Sequence, residues 1–353
     1  MKPRLGLALL TFVLVSAAIL LTATSSARAQ QMSPASPWPE IKSYEQMPIP
    51  ADNPMATAKV ELGKQLYYDK RLSGDGSRAC YSCHLAEKGL TDGLPTAIGA
   101  YNLKLTRSSP TMWNIGYHKE FYWDGRAKSL EAQAKAAWVG GNMGATGKDG
   151  KPSPEDICKK LDAIEGYRKQ FQEVFGSGCT PDNASKALAA FMRTIVANNS
   201  AWVRFREGNQ KALSPAARRG WKVFDEVAKC TNCHAGVLLT DLQFHTVGIG
   251  WDAEKKEFTD VGRFNVTKDE RHKGAFKTPT LLDIAESAPY FHNGSVATLE
   301  EAVDLMLAGG ISNPIGDPNL EPRKLTPKQR ADLLAFLRAL RVPYSIKEPR
   351  LPQ

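Results

Sequence analysis

The sequence predicts a mainly α protein built from two similar halves, and three observations carry that prediction. A Cys-x-x-Cys-His segment occurs twice, at Cys80–His84 and Cys230–His234. The residues ahead of each copy match: Gly63, Leu66, Tyr67 and Asp69 precede the first as Gly220, Val223, Phe224 and Asp225 precede the second. Elsewhere apolar residues recur at helical spacing while strand signals are sparse. The 353 residues, 42% of them apolar and 24% charged, suit about two soluble domains. They exclude a disordered, collagenous or polytopic membrane chain.

Residues 1–29 read as a secretory signal peptide. Lys2 and Arg4 form a basic start, Leu5 to Leu21 an apolar run, and Ala27-Arg28-Ala29 the small-x-small cleavage pattern. The alternative, an uncleaved anchor, is disfavoured by the polar, proline-rich stretch Gln30 to Pro50. Loss of the three bases in this segment takes the net charge from +9 to +6 and leaves no second apolar run of that length. The expectation is therefore an exported, periplasmic protein without a stable membrane span. Its positive charges are scattered and not interleaved with aromatics, which argues against nucleic acid as a partner.

The remaining chain divides into an N-terminal extension (30–56), a first domain (57–207) and a second (208–345). A helix is expected to lead into each Cys-x-x-Cys-His turn. Ala184 to Asn198 places Ala187, Leu188, Phe191 and Ile195 on one face of another. Ser214-Pro215 caps and opens the helix entering the second motif. Thr298 with Glu301, and Thr326 with Gln329, are capping boxes for two more helices. The last of these carries Leu333, Leu334, Phe336, Leu337 and Leu340 as an apolar stripe. Gly140 to Pro154 and Val237 to Pro279 read as long loops.

Two thiols three residues apart on one turn can each add to a haem vinyl group, and the next residue, histidine, then lies beneath the iron. Zinc would need a further ligand pair at similar spacing, and a redox dithiol a βαβ context. No βαβ pattern occurs here, and export favours a covalently retained haem over zinc. The reading is two cytochrome-c-like domains joined by long loops, each with a covalently bound c-type haem held by Cys80, Cys83, His84 or Cys230, Cys233, His234. Cys158 and Cys179 lack neighbouring histidines. In an oxidising compartment they read as a disulfide stapling helices near Ile157–Ala163 and Tyr167–Phe175.

The residues Tyr67 to Ser73, Ser109-Pro110-Thr111, Phe121 to Arg126, Gly262-Arg263-Phe264, Lys277 to Leu281 and Pro289 to Gly294 resemble the bacterial dihaem cytochrome c peroxidases. The MauG-type enzymes, which oxidise residues of a partner protein, belong to the same superfamily. The likeness runs colinearly from about Leu62 to Leu340. It implies that the C-terminal haem transfers electrons with Met306 as its second axial ligand, where MauG-type enzymes have tyrosine. It implies that the N-terminal haem meets hydrogen peroxide, and that Trp123 lies between the two haems. It also implies a calcium ion held by Ser108 and the carbonyls of Ser287 and Pro289, with serine replacing the family's asparagine.

Two positions depart from the peroxidase pattern. Ala100 stands where many members have a removable histidine ligand, so the N-terminal haem is expected to be open; Tyr101 and Met143 are the substitutes to check. In the distal loop, Ala137 to Gly144, the peroxidases carry a proton-moving glutamate with a glutamine nearby. Here Asn142 occupies that loop and no Asp or Glu occurs between Glu131 and Asp149. Asn142 can orient peroxide but cannot act as a base. No spacing puts His118, His245 or His272 over this haem, and His292 is expected to be structural or near the other one. The leading expectation is a peroxidase fed by a small cytochrome c or cupredoxin. The alternatives are a MauG-like enzyme and a non-enzymatic electron carrier, and the oligomeric state stays open.

Overall fold

The computed structural model describes residues 38–343 and 346–353; the expected signal peptide lies outside them. Ten α-helices are found among the described residues. In the first half these are α1 (Thr57–Tyr68), α2 (Leu130–Val139), α3 (Pro154–Asp162), α4 (Glu165–Phe175), α5 (Pro181–Met192) and α6 (Ala201–Arg206). The second half has α7 (Pro215–Lys222), α8 (Phe264–Thr267), α9 (Leu299–Leu307) and α10 (Pro327–Arg338). Four two-residue strands, β1 (Phe244–His245), β2 (Trp251–Asp252), β3 (Glu257–Phe258) and β4 (Phe276–Lys277), form two antiparallel ladders, β1 with β4 and β2 with β3. Most of the remaining chain is loops and single 3₁₀ turns.

The caps start the helices where the sequence says. Ser214 accepts from Ala217 N ahead of Pro215, and Thr298 and Thr326 close full capping boxes with Glu301 and Gln329. The helix expected over 184–198 begins earlier and ends sooner, because Thr180 caps it with Pro181 in the first turn. Beyond Met192 the backbone is drawn away by Asn114, whose amide donates to Ile195 O and whose side chain accepts from Ala197 N. The disulfide Cys158–Cys179 forms, with Cα atoms 5.1 Å apart. It ties α3 to the turn before α5 and not to α4, since Cys179 lies past the end of α4.

The internal repeat is visible in packing. A β-carbon on Gly63 of α1 would sit 1.9 Å from Ala187 O of α5 and 3.0 Å from the Phe191 β-carbon. On Gly220 of α7 it would sit 1.9 Å from Asp332 O of α10 and 2.7 Å from the Phe336 β-carbon. Each half therefore crosses two helices through a glycine, at closer range than any side chain allows. The pattern continues where Asn114 and Asp283, both left-handed at φ 60° and 59°, receive the chain after α5 and after α10. Asp283 N donates to Leu340 O and its side chain accepts from Val342 N, as Asn114 does with Ile195 and Ala197. Helices pack chiefly within their own half, yet residues 38–353 form one compact body with a shared apolar core.

Candidate functional site

Both histidines are set by the same local geometry. After each Cys-x-x-Cys turn the chain reverses, and a carbonyl five or six residues on takes up one ring nitrogen. His84 Nδ1 is 3.0 Å from Leu90 O, and His234 Nδ1 is 3.1 Å from Leu239 O. Burial lowers the pKa of each, so both rings are neutral, with Nδ1–H donated and Nε2 left for a metal. Burial pushes the Cys80 and Cys230 thiols up to about 12. A redox dithiol or a thiolate metal site needs the opposite shift.

Over His84 opens a cavity of about 790 Å³. Its floor is Cys80, Cys83 and His84, and its walls are largely apolar, with Tyr67, Leu72, Met112 and Trp138 among them. Such a cavity, with two cysteines and a neutral histidine at one end, fits a covalently held haem. The same motif geometry surrounds His234. There the haem-attachment loop is tied to the segment after α9: Asp241 N donates to Cys233 O, and His245 bridges Asp241 Oδ2 at 2.8 Å and Asp317 Oδ2 at 2.5 Å. Hydrogen bonds to Asp241, then to the free Cys233 thiol, then to Asp317 raise His245 to about 11, and with Cys233 taken up by haem the two carboxylates still raise it, so it is an imidazolium. Sequence reading missed this clamp. Its only signal was the Asp241/His245 spacing behind the motif. Met306 lies half-buried on α9.

Of the expected distal residues, the structure gathers Asn142, Met143 and Trp123 around the His84 cavity. Tyr101 does not belong to it: at φ 56° it is 40% exposed, its ring beneath Lys151 Nζ at 4.5 Å. That removes Tyr101 as a substitute ligand. Ala100 is buried, its amide donating to Asn142 O. Gln133 reaches the cavity from α2, a position that sequence reading did not single out. Glu131 is turned away into Arg193 and Asn53. Asp124 is the one carboxylate of the cavity wall, held by Arg107 at 2.7 Å and Arg126 at 3.0 Å.

Trp123 stands at the junction of the halves. Its Nε1 donates to Ser108 O at 2.9 Å, and its own carbonyl accepts from Lys277 N at 2.8 Å. Reciprocally, Ser108 N donates to His292 O at 2.7 Å. These exchanges relate Ser108 and Trp123 to Lys277 and His292 by approximate two-fold symmetry. His292 stacks on Phe276 with centroids 3.6 Å apart, and burial pushes it down to about 4. Lys277 is buried with its ammonium on Glu120 O and His118 Nδ1, and burial lowers it to about 8. His272 only meets Thr267 at the surface.

At the positions expected to hold calcium, both serine hydroxyls are engaged by main-chain carbonyls. Ser108 Oγ donates to Phe291 O at 2.9 Å and Ser287 Oγ to Ile284 O at 3.2 Å. No carboxylate cluster supports them, since Cys233, Asp241 and His245 form the sole grouping of potential ligand side chains among the described residues.

Residues 57–211 match the di-haem cytochrome c peroxidase family. The chain is 36% identical to the cytochrome-c peroxidase IdrP1 of Denitromonas iodatirespirans, across 96% of this chain and 95% of that one. It is 35% identical to the methylamine utilization protein MauG of Methylorubrum extorquens, across 94% and 92%. The fold matches the crystal structure of a MauG-like protein associated with microbial copper homeostasis, with TM-score 0.78 and 31% identity over 88% of this chain and 96% of that one. With its paired haem-attachment turns, this chain belongs to the di-haem cytochrome c peroxidase family and is a peroxidase-like oxidoreductase carrying two c-type haems.

Proposed function

We propose that the protein is a periplasmic peroxidase that reduces hydrogen peroxide at the His84 haem with electrons received through the His234 haem. A small cytochrome c or cupredoxin is the donor, and 57–207 and 208–345 are the peroxidatic and electron-transfer halves. The observation that carries this reading is the cavity over His84, lined by Asn142 and Gln133, with alanine at the position of the family's removable ligand. The haem irons supply the redox chemistry.

The surrounding residues do the rest. His84, its Nδ1 fixed on Leu90 O, presents a basic Nε2 at one orientation. Asn142 and Gln133 donate and accept hydrogen bonds and so orient peroxide. Proton movement between the peroxide oxygens falls to an Asn-ordered water or to Asp124, the cavity's carboxylate. Trp123 sits on the junction between the halves, where its indole is held by Ser108 and its backbone by Lys277. Met306 would supply a thioether to the second haem, a ligand that raises the potential of the electron-receiving centre.

A MauG-like reading, with a partner protein as electron source, is favoured by Ala100 and opposed by Met306. The test is steady-state oxidation of a reduced small cytochrome c by peroxide. Rapid turnover, lost in Trp123→Phe and Met306→Ala, is the expected result. Peroxide decay without cytochrome oxidation, accompanied by oxidation of an added partner protein, would transfer the assignment to the MauG type.

A further inference from the structure

A second indole joins the two halves. Trp113, fully buried, donates its Nε1–H to Asp283 Oδ2 at 3.1 Å. The other carboxylate oxygen is taken by Val342 N at 3.0 Å, so Asp283 is held in place with one oxygen reserved for the indole. Trp123, Trp138 and Trp202 donate instead to the main-chain carbonyls of Ser108, Leu72 and Val237. A carbonyl cannot take up a proton; a carboxylate can.

The pair also links the two segments that run beside the two histidines. Trp113 follows Pro110, Thr111 and Met112, all of which line the His84 cavity, and the Pro110 backbone lies beside the His84 ring. Asp283 follows Pro279, Thr280, Leu281 and Leu282, and the Pro279 backbone lies beside the His234 ring. One side-chain hydrogen bond, Trp113 to Asp283, thus connects the chain segments that touch the two proximal rings.

We propose that Trp113 is a redox-active residue that supplies an electron to the peroxide-oxidised protein when no external donor arrives. The inference rests on the peroxidase reading above. Reducing hydrogen peroxide to two waters takes two electrons and two protons. One electron comes from the Trp113 indole, the other would come from a haem iron raised by one oxidation level, and both protons come from solvent. As the indole is oxidised its Nε1–H bond breaks and an O–H bond forms on Asp283 Oδ2, leaving a neutral indolyl radical beside a neutral carboxylic acid. An electron from the cytochrome donor reverses both changes. Burial raises the Asp283 pKa, which suits a carboxylate that must accept a proton. The charged groups facing it, Glu286 and Arg341, act in opposite directions and pair with each other at 2.9 Å.

The test is freeze-quench EPR of the full-length diferric holoprotein after one equivalent of peroxide without donor, in normal and indole-deuterated protein. The expected result is a protein radical whose hyperfine structure narrows on deuteration and which is absent in Trp113→Phe. Asp283→Asn, which still accepts a hydrogen bond but no proton, shortens its lifetime by about tenfold or more. A radical that persists in Trp113→Phe or ignores indole deuteration overturns the proposal. If that variant yields no holoprotein, an unchanged radical and lifetime in Asp283→Asn overturn it. If peroxide leaves the wild-type haem spectrum unchanged, the peroxidase reading fails instead. Photo-oxidation with ruthenium tris-bipyridine and persulfate then puts the same question to the same variants, with the same expected and contrary results.

Discussion

At the scale of single residues, the chemistry turns on what stands over His84. Asn142 shares the cavity wall with Gln133 and Met143, and the wall's one carboxylate, Asp124, is already engaged by two arginines. A positioned base contributes about 10²–10⁴-fold to such proton transfers. Asn142→Glu is therefore expected to raise the peroxide-limited rate by about tenfold or more, read by stopped-flow decay of peroxide with reduced donor. No change would mean that proton transfer already proceeds through another group. The haem-binding residues were legible in the sequence because Cys-x-x-Cys-His is local and its chemistry needs that order. Gln133 and Asp124 were not, because helix α2 and the loop at 121–126 bring them to the cavity only through tertiary packing. Tyr101 was misplaced for the same reason. Its left-handed backbone turns it outward, and nothing in the residue type signals that.

Between elements, two devices set the geometry. The first is the glycine crossing of α1 with α5 and of α7 with α10. Gly63→Ala or Gly220→Ala puts a methyl group 1.9 Å from a carbonyl oxygen, so each is expected to force its helices apart. The expected cost is about 1–3 kcal/mol, measured by denaturant unfolding of the holoprotein. An equal stability for either variant would contradict the close approach. The second device is His245, which ties the loop after Cys233 to the segment after α9. Its pKa is raised from 6.5 to about 11, so the folded state keeps a proton that the unfolded chain has lost. The stabilisation is full below about pH 6.5 and is lost as pH rises through the folded value, which the two carboxylates hold above 6.5. His245→Asn should flatten the fall of Tm between pH 7 and pH 10. A parallel fall in both proteins would show that the imidazolium is not the cause. The repeat itself was readable from Gly63 and Gly220, but the clamp was not, because Asp317 lies 72 positions away in sequence.

Across the whole molecule, the halves are joined where Ser108 and Trp123 exchange hydrogen bonds with Lys277 and His292, and where Trp113 meets Asp283. The sequence showed two halves of one kind, yet it could not show that they close into a single body, since the first of these bonds link main-chain groups that any residue carries and the indole–carboxylate pair lies 170 positions apart. On the proposed reading the halves take different tasks through their sixth ligands, with no protein ligand over His84 and Met306 as the ligand over His234. The measurement that tests this most directly is low-temperature EPR of the as-isolated diferric protein. The account predicts one high-spin and one low-spin ferric signal, the latter lost in Met306→Ala. Two low-spin signals would contradict it, because a protein side chain would then occupy the iron above His84 and close the site to peroxide.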